Sequence, residues 1–307
     1  MVAENDPTVQ RIPPRVWDAP WYQRPPAVAP QFTLTYACRM NRARVLPWKR
    51  TVVALLLFGT AFGYLEAAVV SYLRLLHEPA RLRFYPGRAR AELFPLLTLN
   101  QLRSAGTEQQ RTLAAEIGRE TATIIMLAAV GLAVAQNAGQ WAAAFVIAFG
   151  TWDITFYIFL KVLLDWPESL FTWDILFLIP VPWTGPVLAP VLVSAAMIAA
   201  GLWHLRSEAR MEPVRIRRSA WAGIVGGAVV IVISFAMDYG NIMAGGIPRT
   251  FNWGVFAAGL AIGISSYAWA VRQSRRVDQS ATTARLGVAD AASARSGNTW
   301  RQIERMP

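Results

Sequence analysis

The sequence predicts an all-α fold: a polytopic α-helical membrane protein with about six transmembrane helices, one proline-broken segment and disordered basic termini. Three observations predict it. The chain has 307 residues, of which 54% are hydrophobic and only 16% charged, whereas soluble domains carry about 25% charged residues. Its apolar residues gather in runs approaching the ~20 residues that a bilayer core requires. Its formal net charge of +11 is concentrated between those runs, as expected where arginine and lysine set orientation.

Residues 1–47 are rich in proline and arginine and hold no apolar run, so they are expected to form a disordered cytoplasmic tail. The first span is expected at 51–73. Gly59, Gly63, Ala67 and Ser71 recur there every four residues and make a small-residue face, with Glu66 beside it. Ordinary helix packing accounts for the glycines. A carboxylate at that depth must be protonated, paired or wet.

A polar connection over 74–120 is broken by Pro79, Pro86 and Pro95 and falls outside the membrane in this scheme. Thr107 with Gln110 fits a capping box, so a helix is expected to restart there and to run through Glu116, Arg119 and Glu120 into a span at 121–135. Glu120 would lie at the membrane edge, and Arg119 would neutralise Glu116 and Glu120 on a solvated face. The third span, 141–164, places Asp153, Tyr157, Lys161 and Asp165 at four-residue spacing on one face. That stripe reads either as a pair fixing helix register or as a functional site.

The segment 166–186 breaks the pattern. It carries Trp173 and Asp174 and then Pro180, Pro182, Gly185 and Pro186, a density of prolines that a continuous helix does not accept. Irregular backbone at membrane depth needs protein or a wet cavity to satisfy it, so a re-entrant or interfacial segment is expected, with a simple surface turn at 182–186 as the plainer alternative. Spans at 187–203, 221–237 and 252–271 follow, and 272–307 reads as a second disordered basic tail. Gly223 with Gly227 and Gly259 with Gly263 give the last two spans small-residue faces suited to packing, to a homo-oligomer or to a membrane-protein partner.

Six spans put both termini on one side. The basic tails and the loop 204–220 assign that side to the cytoplasm, in a cell inner membrane. Trp48, Trp141, Trp203, Trp221 and Trp269 then mark the inner interface, and Trp166, Trp173, Trp183 and Trp253 the outer one.

Composition also bounds the chemistry. Cys38 is the single cysteine and His77 and His204 are the two histidines, which argues against haem and zinc. No cofactor is predicted, and a divalent cation held by carboxylates stays open. The basic residues flank apolar spans, so lipid and not nucleic acid is the expected surface partner.

What remains is an acidic, Trp-lined site on the outer half of the membrane, with Glu66, Glu120, Asp153, Tyr157, Lys161, Asp165, Trp173 and Asp174 as candidates for binding or an ion path. Small-solute or cation and proton handling fits intramembrane carboxylates beside a broken segment. A non-catalytic subunit or assembly factor, and a membrane enzyme acting on a lipid-linked substrate through its carboxylates, are the alternatives.

Overall fold

A computed structural model describes residues 48–89 and 92–277. The two predicted tails, apart from 272–277, lie outside these described residues. The described chain is mostly helical: α1 (Trp48–Phe84), α2 (Leu99–Ala105), α3 (Thr107–Val134), α4 (Ala138–Leu164), α5 (Leu188–Ala209), α6 (Arg218–Ala236), α7 (Tyr239–Met243) and α8 (Trp253–Val277). All but α2 and α7 are long and apolar enough to cross a membrane, six in all among the described residues.

Small residues decide which helices touch. A Cβ on Gly59 would lie 2.7 Å from Thr151 Cβ, and one on Gly63 would lie 2.9 Å from the backbone nitrogen of Phe156, so α1 and α4 pack side by side and parallel. Gly150 and Gly201 bring α4 and α5 equally close but antiparallel, where added Cβ atoms would come within 2.7 Å of Ser194 O and 2.8 Å of Ala143 O. Gly227 meets the backbone of Gly259 and Gly263 and joins α6 to α8. Without a hydrophobic driving force between helices in lipid, such close backbone approach is the main source of cohesion.

Three apolar clusters mark the levels of the bundle. At one end Val52 and Leu55 of α1, Ala143 and Ala144 of α4 and Leu205 of α5 are buried together, with Trp48, Val130 and Val134 against them. At the other, Ala67, Tyr157, Leu160, Trp166 and Val187 form a second core. The third joins Ala189, Phe235 and Phe256 where α5, α6 and α8 meet. The helices therefore alternate in direction. Both ends of the described chain share one end of the bundle, where Arg275 of α8 lies 5.2 Å from the Trp203 ring of α5.

Several expectations need correction. The broken segment is not helical: β1 (Trp173–Phe177) and β2 (Trp183–Pro186) pair antiparallel, with Asp174 opposite Gly185, so the all-α expectation fails here. Extended strands tolerate the flanking prolines and let the backbone pair with itself where a helix would lose donors. The ladder is lengthened by Val187 N donating to Thr172 O (3.0 Å) and Leu188 N to Leu170 O (2.7 Å). The connection expected over 74–120 is largely helical, because α1 continues through Pro79 to Phe84. The capping box sits at Thr98 and Gln101, starting α2; α3 begins after Gly106, whose φ of +111° suits glycine and whose side chain can cap nothing. The final helix runs past Arg272 to Val277, beyond the expected start of the tail.

Candidate functional site

The hairpin descends along α4 from its C-terminal end. Asp174 lies opposite Tyr157, and Phe177, further along β1, sets its ring 6.3 Å from Trp152, near the middle of α4. Its other face meets α6, where a Cβ on Gly185 would lie 2.9 Å from the Phe235 ring. Glycine is required at that contact. Trp173 is half-buried and packs edge-on against Phe251 at 6.2 Å.

Two polar networks flank the hairpin. In the first, the buried Tyr157 hydroxyl donates to Asp174 Oδ2 at 3.0 Å, and Ser194 Oγ of α5 donates to Asp153 Oδ2 at 2.9 Å. Asp153 and Tyr157 are one turn apart on α4, so the two hydrogen bonds stack along one helix face. Arg74, in the extension of α1, lays its guanidinium 4.2 Å from the centroid of the buried Trp166 ring. It also exerts a favourable charge interaction on Asp174. A cation held on an aromatic face is desolvated less expensively than one in hydrocarbon.

The second network is built on Arg119. Its Nη1 donates to Glu66 Oε2 of α1, while its Nε donates to Glu116 Oε2 at 2.9 Å and its Nη2 to Glu116 Oε1, a forked pair. Glu120, buried on the next position of α3, accepts the backbone N–H of Leu178 with both oxygens, at 3.1 and 2.9 Å. It therefore caps the hairpin tip, where the ladder has ended and the backbone has no strand partner.

Apart from Trp173, the candidates from the sequence thus separate into three groups. Asp153, Tyr157 and Asp174 come together. Glu66 and Glu120 join Arg119 and the hairpin tip in a network that shares no hydrogen bond with the first. Lys161 and Asp165 turn away: both are exposed and pair with each other at 2.7 Å. The four-residue stripe therefore divides after Tyr157 into a buried part and an exposed pair, and Asp165, with a left-handed φ of 51°, lies just past the helix end at Leu164. Lys161 beside Asp165 holds that carboxyl below its usual range.

Arg74, Ser194 and the link between Arg119 and Glu66 are invisible in the sequence pattern. Arg119 stands three residues from Glu116, which suggests a pairing within one helix and hides the pairing across helices. Arg74 falls past the expected end of the first span. The 37-residue length of α1 was the missing signal. Among the described residues no group of three or more His, Cys, Asp or Glu side chains is arranged to hold a metal ion.

Comparison with family models, with curated proteins and with solved structures finds no match. The functional reading therefore rests on the geometry alone.

Proposed function

We propose that the chain handles a proton or small cation through an acidic site on the outer half of a cell inner membrane, built by α4, α5 and the hairpin. The observation that carries the reading is Asp153. It lies in the interior-facing row of a membrane-length helix, with one hydrogen bond from Ser194 and no ion pair among the described residues. An intramembrane carboxylate without a matching cation is free to take up and release one. Tyr157 and Asp174 extend it toward the hairpin end.

Buried donors around the hairpin support a wet site. Trp152 Nε1, Trp183 Nε1, Thr184 Oγ1 and Arg74 Nε have no hydrogen-bond partner among the described residues. Buried polar groups are seldom left so, and each costs about 1–3 kcal/mol if nothing meets it. Trp183 and Thr184 belong to β2, Trp152 packs against Phe177 of β1 and Arg74 acts on Asp174, so these donors border the hairpin and favour a hydrated path there over a dry core. Re-entry of the hairpin is part of the proposal, supported by the descent of β1 along α4.

Orientation belongs to the same proposal. Both ends of the described chain and the arginine-rich loop after α5 share one end of the bundle, which the positive-inside rule assigns to the cytoplasm. The hairpin then faces outward.

The test is flux through the purified full chain in liposomes with an entrapped pH dye, and with sodium or potassium indicators in parallel. Wild-type protein is expected to raise one flux several-fold over protein-free liposomes. Asp153→Asn should return it to that baseline, whereas Glu168→Gln, an exposed acid outside both networks, should leave it unchanged. Wild-type vesicles as tight as empty ones to all three cations would overturn the reading.

One observation favours a second reading, a subunit or assembly factor. Glu66, Glu116 and Glu120 are all satisfied by Arg119 or by backbone, which is what polar groups do when their work is to lock helices together. In that case Asp153→Asn lowers abundance in the membrane and no flux is found.

A further inference from the structure

A cation stands over the acidic site and forms no ion pair with its acids. Arg74 of α1 is half-buried, its Nε has no hydrogen-bond partner, and its guanidinium is in no ion pair among the described residues. An aromatic face holds it instead, the ring of Trp166, whose centroid lies 4.2 Å away and which is only 3% exposed.

That ring ties Arg74 to the acids. Trp166 packs in one core with Ala67, Tyr157 and Val187. The Tyr157 hydroxyl holds Asp174, and one turn deeper on α4 Asp153 accepts from Ser194. Arg74 follows Ala67 on α1 by about 10 Å of helix, at 1.5 Å per residue, toward the hairpin end. The order from that end inward is therefore Arg74 on Trp166, then Asp174 with Tyr157, then Asp153 with Ser194. An ion approaching Asp153 from the hairpin end meets the guanidinium first.

The approach is positive. On the outer turns of α1, Arg74, Arg81 and Arg83 stand against Glu78. Arg81 acts on Arg74 as a like charge, and Asp174 is the acid that attracts it. The charge of Asp174 is thus answered from outside, and that of Asp153 is not.

Metal cations and protons respond differently to such a barrier. A sodium or potassium ion keeps its charge throughout and needs oxygen lone pairs in place of its hydration shell. Beside Asp174 the guanidinium offsets the attraction, and the hydroxyls of Tyr157 and Ser194 turn their hydrogens toward the acids. A proton bonds to one carboxylate oxygen and makes the acid neutral, so a neighbouring cation alters how tightly it is held without removing the site.

We infer, on the ion-handling reading above, that Arg74 is the selectivity element of the acidic site: its charge excludes metal cations, and the proton is the cargo taken up and released at Asp153.

Flux through the full chain in liposomes, read with an entrapped pH dye and with sodium and potassium indicators, tests this in Arg74 variants. Wild type is expected to pass protons and to hold both metals at the protein-free rate. Arg74→Gln should raise sodium flux about tenfold, the order of effect of one unit charge a few Å away in a protein-like dielectric, with proton flux still above baseline. Arg74→Lys keeps the charge and should exclude both metals. Arg74→Met keeps an unbranched stem against Trp166 and replaces the Gln variant where that one fails to reconstitute. Sodium or potassium flux through wild type, or unchanged exclusion after Arg74 is neutralised, overturns the inference and leaves the ion-handling reading standing. The same opening in Arg74→Lys overturns it too, since shape and not charge would then exclude. Absence of all three fluxes in wild type overturns both.

Discussion

Arg119 is the residue on which the largest number of buried charges depends. It faces Glu66 across the helix interface and Glu116 on its own helix, and its charge also acts on Glu120. Removing a shared cation leaves acids that repel one another as well as losing their partner, and breaking such a buried pair costs about 3–5 kcal/mol. Arg119 keeps some solvent contact, so the lower part of that range applies. Arg119→Ala is therefore expected to melt well below wild type in detergent, and Glu116→Ala, which leaves the pairing with Glu66 intact, only slightly below. Equal melting of the two variants would show that the pairing across helices contributes nothing. The pair of Lys161 and Asp165 behaves differently because it is exposed. A carboxyl held below its ordinary range stabilises the fold above that range, and the contribution fades as the pH falls through it. Asn tolerates the left-handed φ that Asp165 adopts, so Asp165→Asn isolates the charge. It is expected to melt slightly below wild type at pH 7, by a gap that closes on acidification below the ordinary carboxylate range; a gap that stays constant as the pH falls would contradict the assignment.

At the scale of elements, the fold is held by backbone approach between helices and by one carboxylate beneath the hairpin. Gly63 allows no Cβ, since one would fall 2.9 Å from Phe156 N and 3.0 Å from Trp152 O, and backbone cannot rotate aside as a side chain can. Gly226 on α6 faces open space. Gly63→Ala is expected to lower the melting temperature by several degrees through overpacking of about 1–3 kcal/mol. Gly226→Ala should hold or raise it, since alanine is favoured over glycine in a helix by about 1 kcal/mol. Reversed signs in thermal melts would show that α1 and α4 are not in close contact. Glu120 makes the matching prediction for the hairpin. Glu120→Leu leaves Leu178 N–H without its acceptor, so deuterium exchange over 173–186 should accelerate about tenfold or more while exchange in α4 stays as in wild type. The glycine faces were legible in the sequence because their four-residue period is a property of the helix. The hairpin was not. Its residues are apolar without clean alternation, and what makes strands of them is a set of non-local contacts, from Glu120, Tyr157 and Phe235, that no local pattern records.

At the scale of the whole molecule, the alternation of six long helices was readable because each must bury or expose a membrane's thickness of apolar surface. The grouping of the acids was not, because it depends on which helices are neighbours. Glu66 and Asp153 lie on adjacent helices and still join different networks, since Glu66 leans toward α3 and Asp153 toward α5. That placement makes the orientation of the bundle the deciding fact for any function. The hairpin and both networks lie toward one end or the middle, and both ends of the described chain lie at the other. Cys38 is the single cysteine and allows the side to be read directly. With a membrane-impermeant maleimide, Cys38 is expected to label in inside-out vesicles and to resist labelling in intact spheroplasts. In a Cys38→Ser background, Glu168→Cys in the exposed turn after α4 should show the opposite. Labelling of Cys38 in intact spheroplasts would turn Asp153 and Asp174 toward the cytoplasm. The site would then open on the opposite side of the membrane from the one proposed.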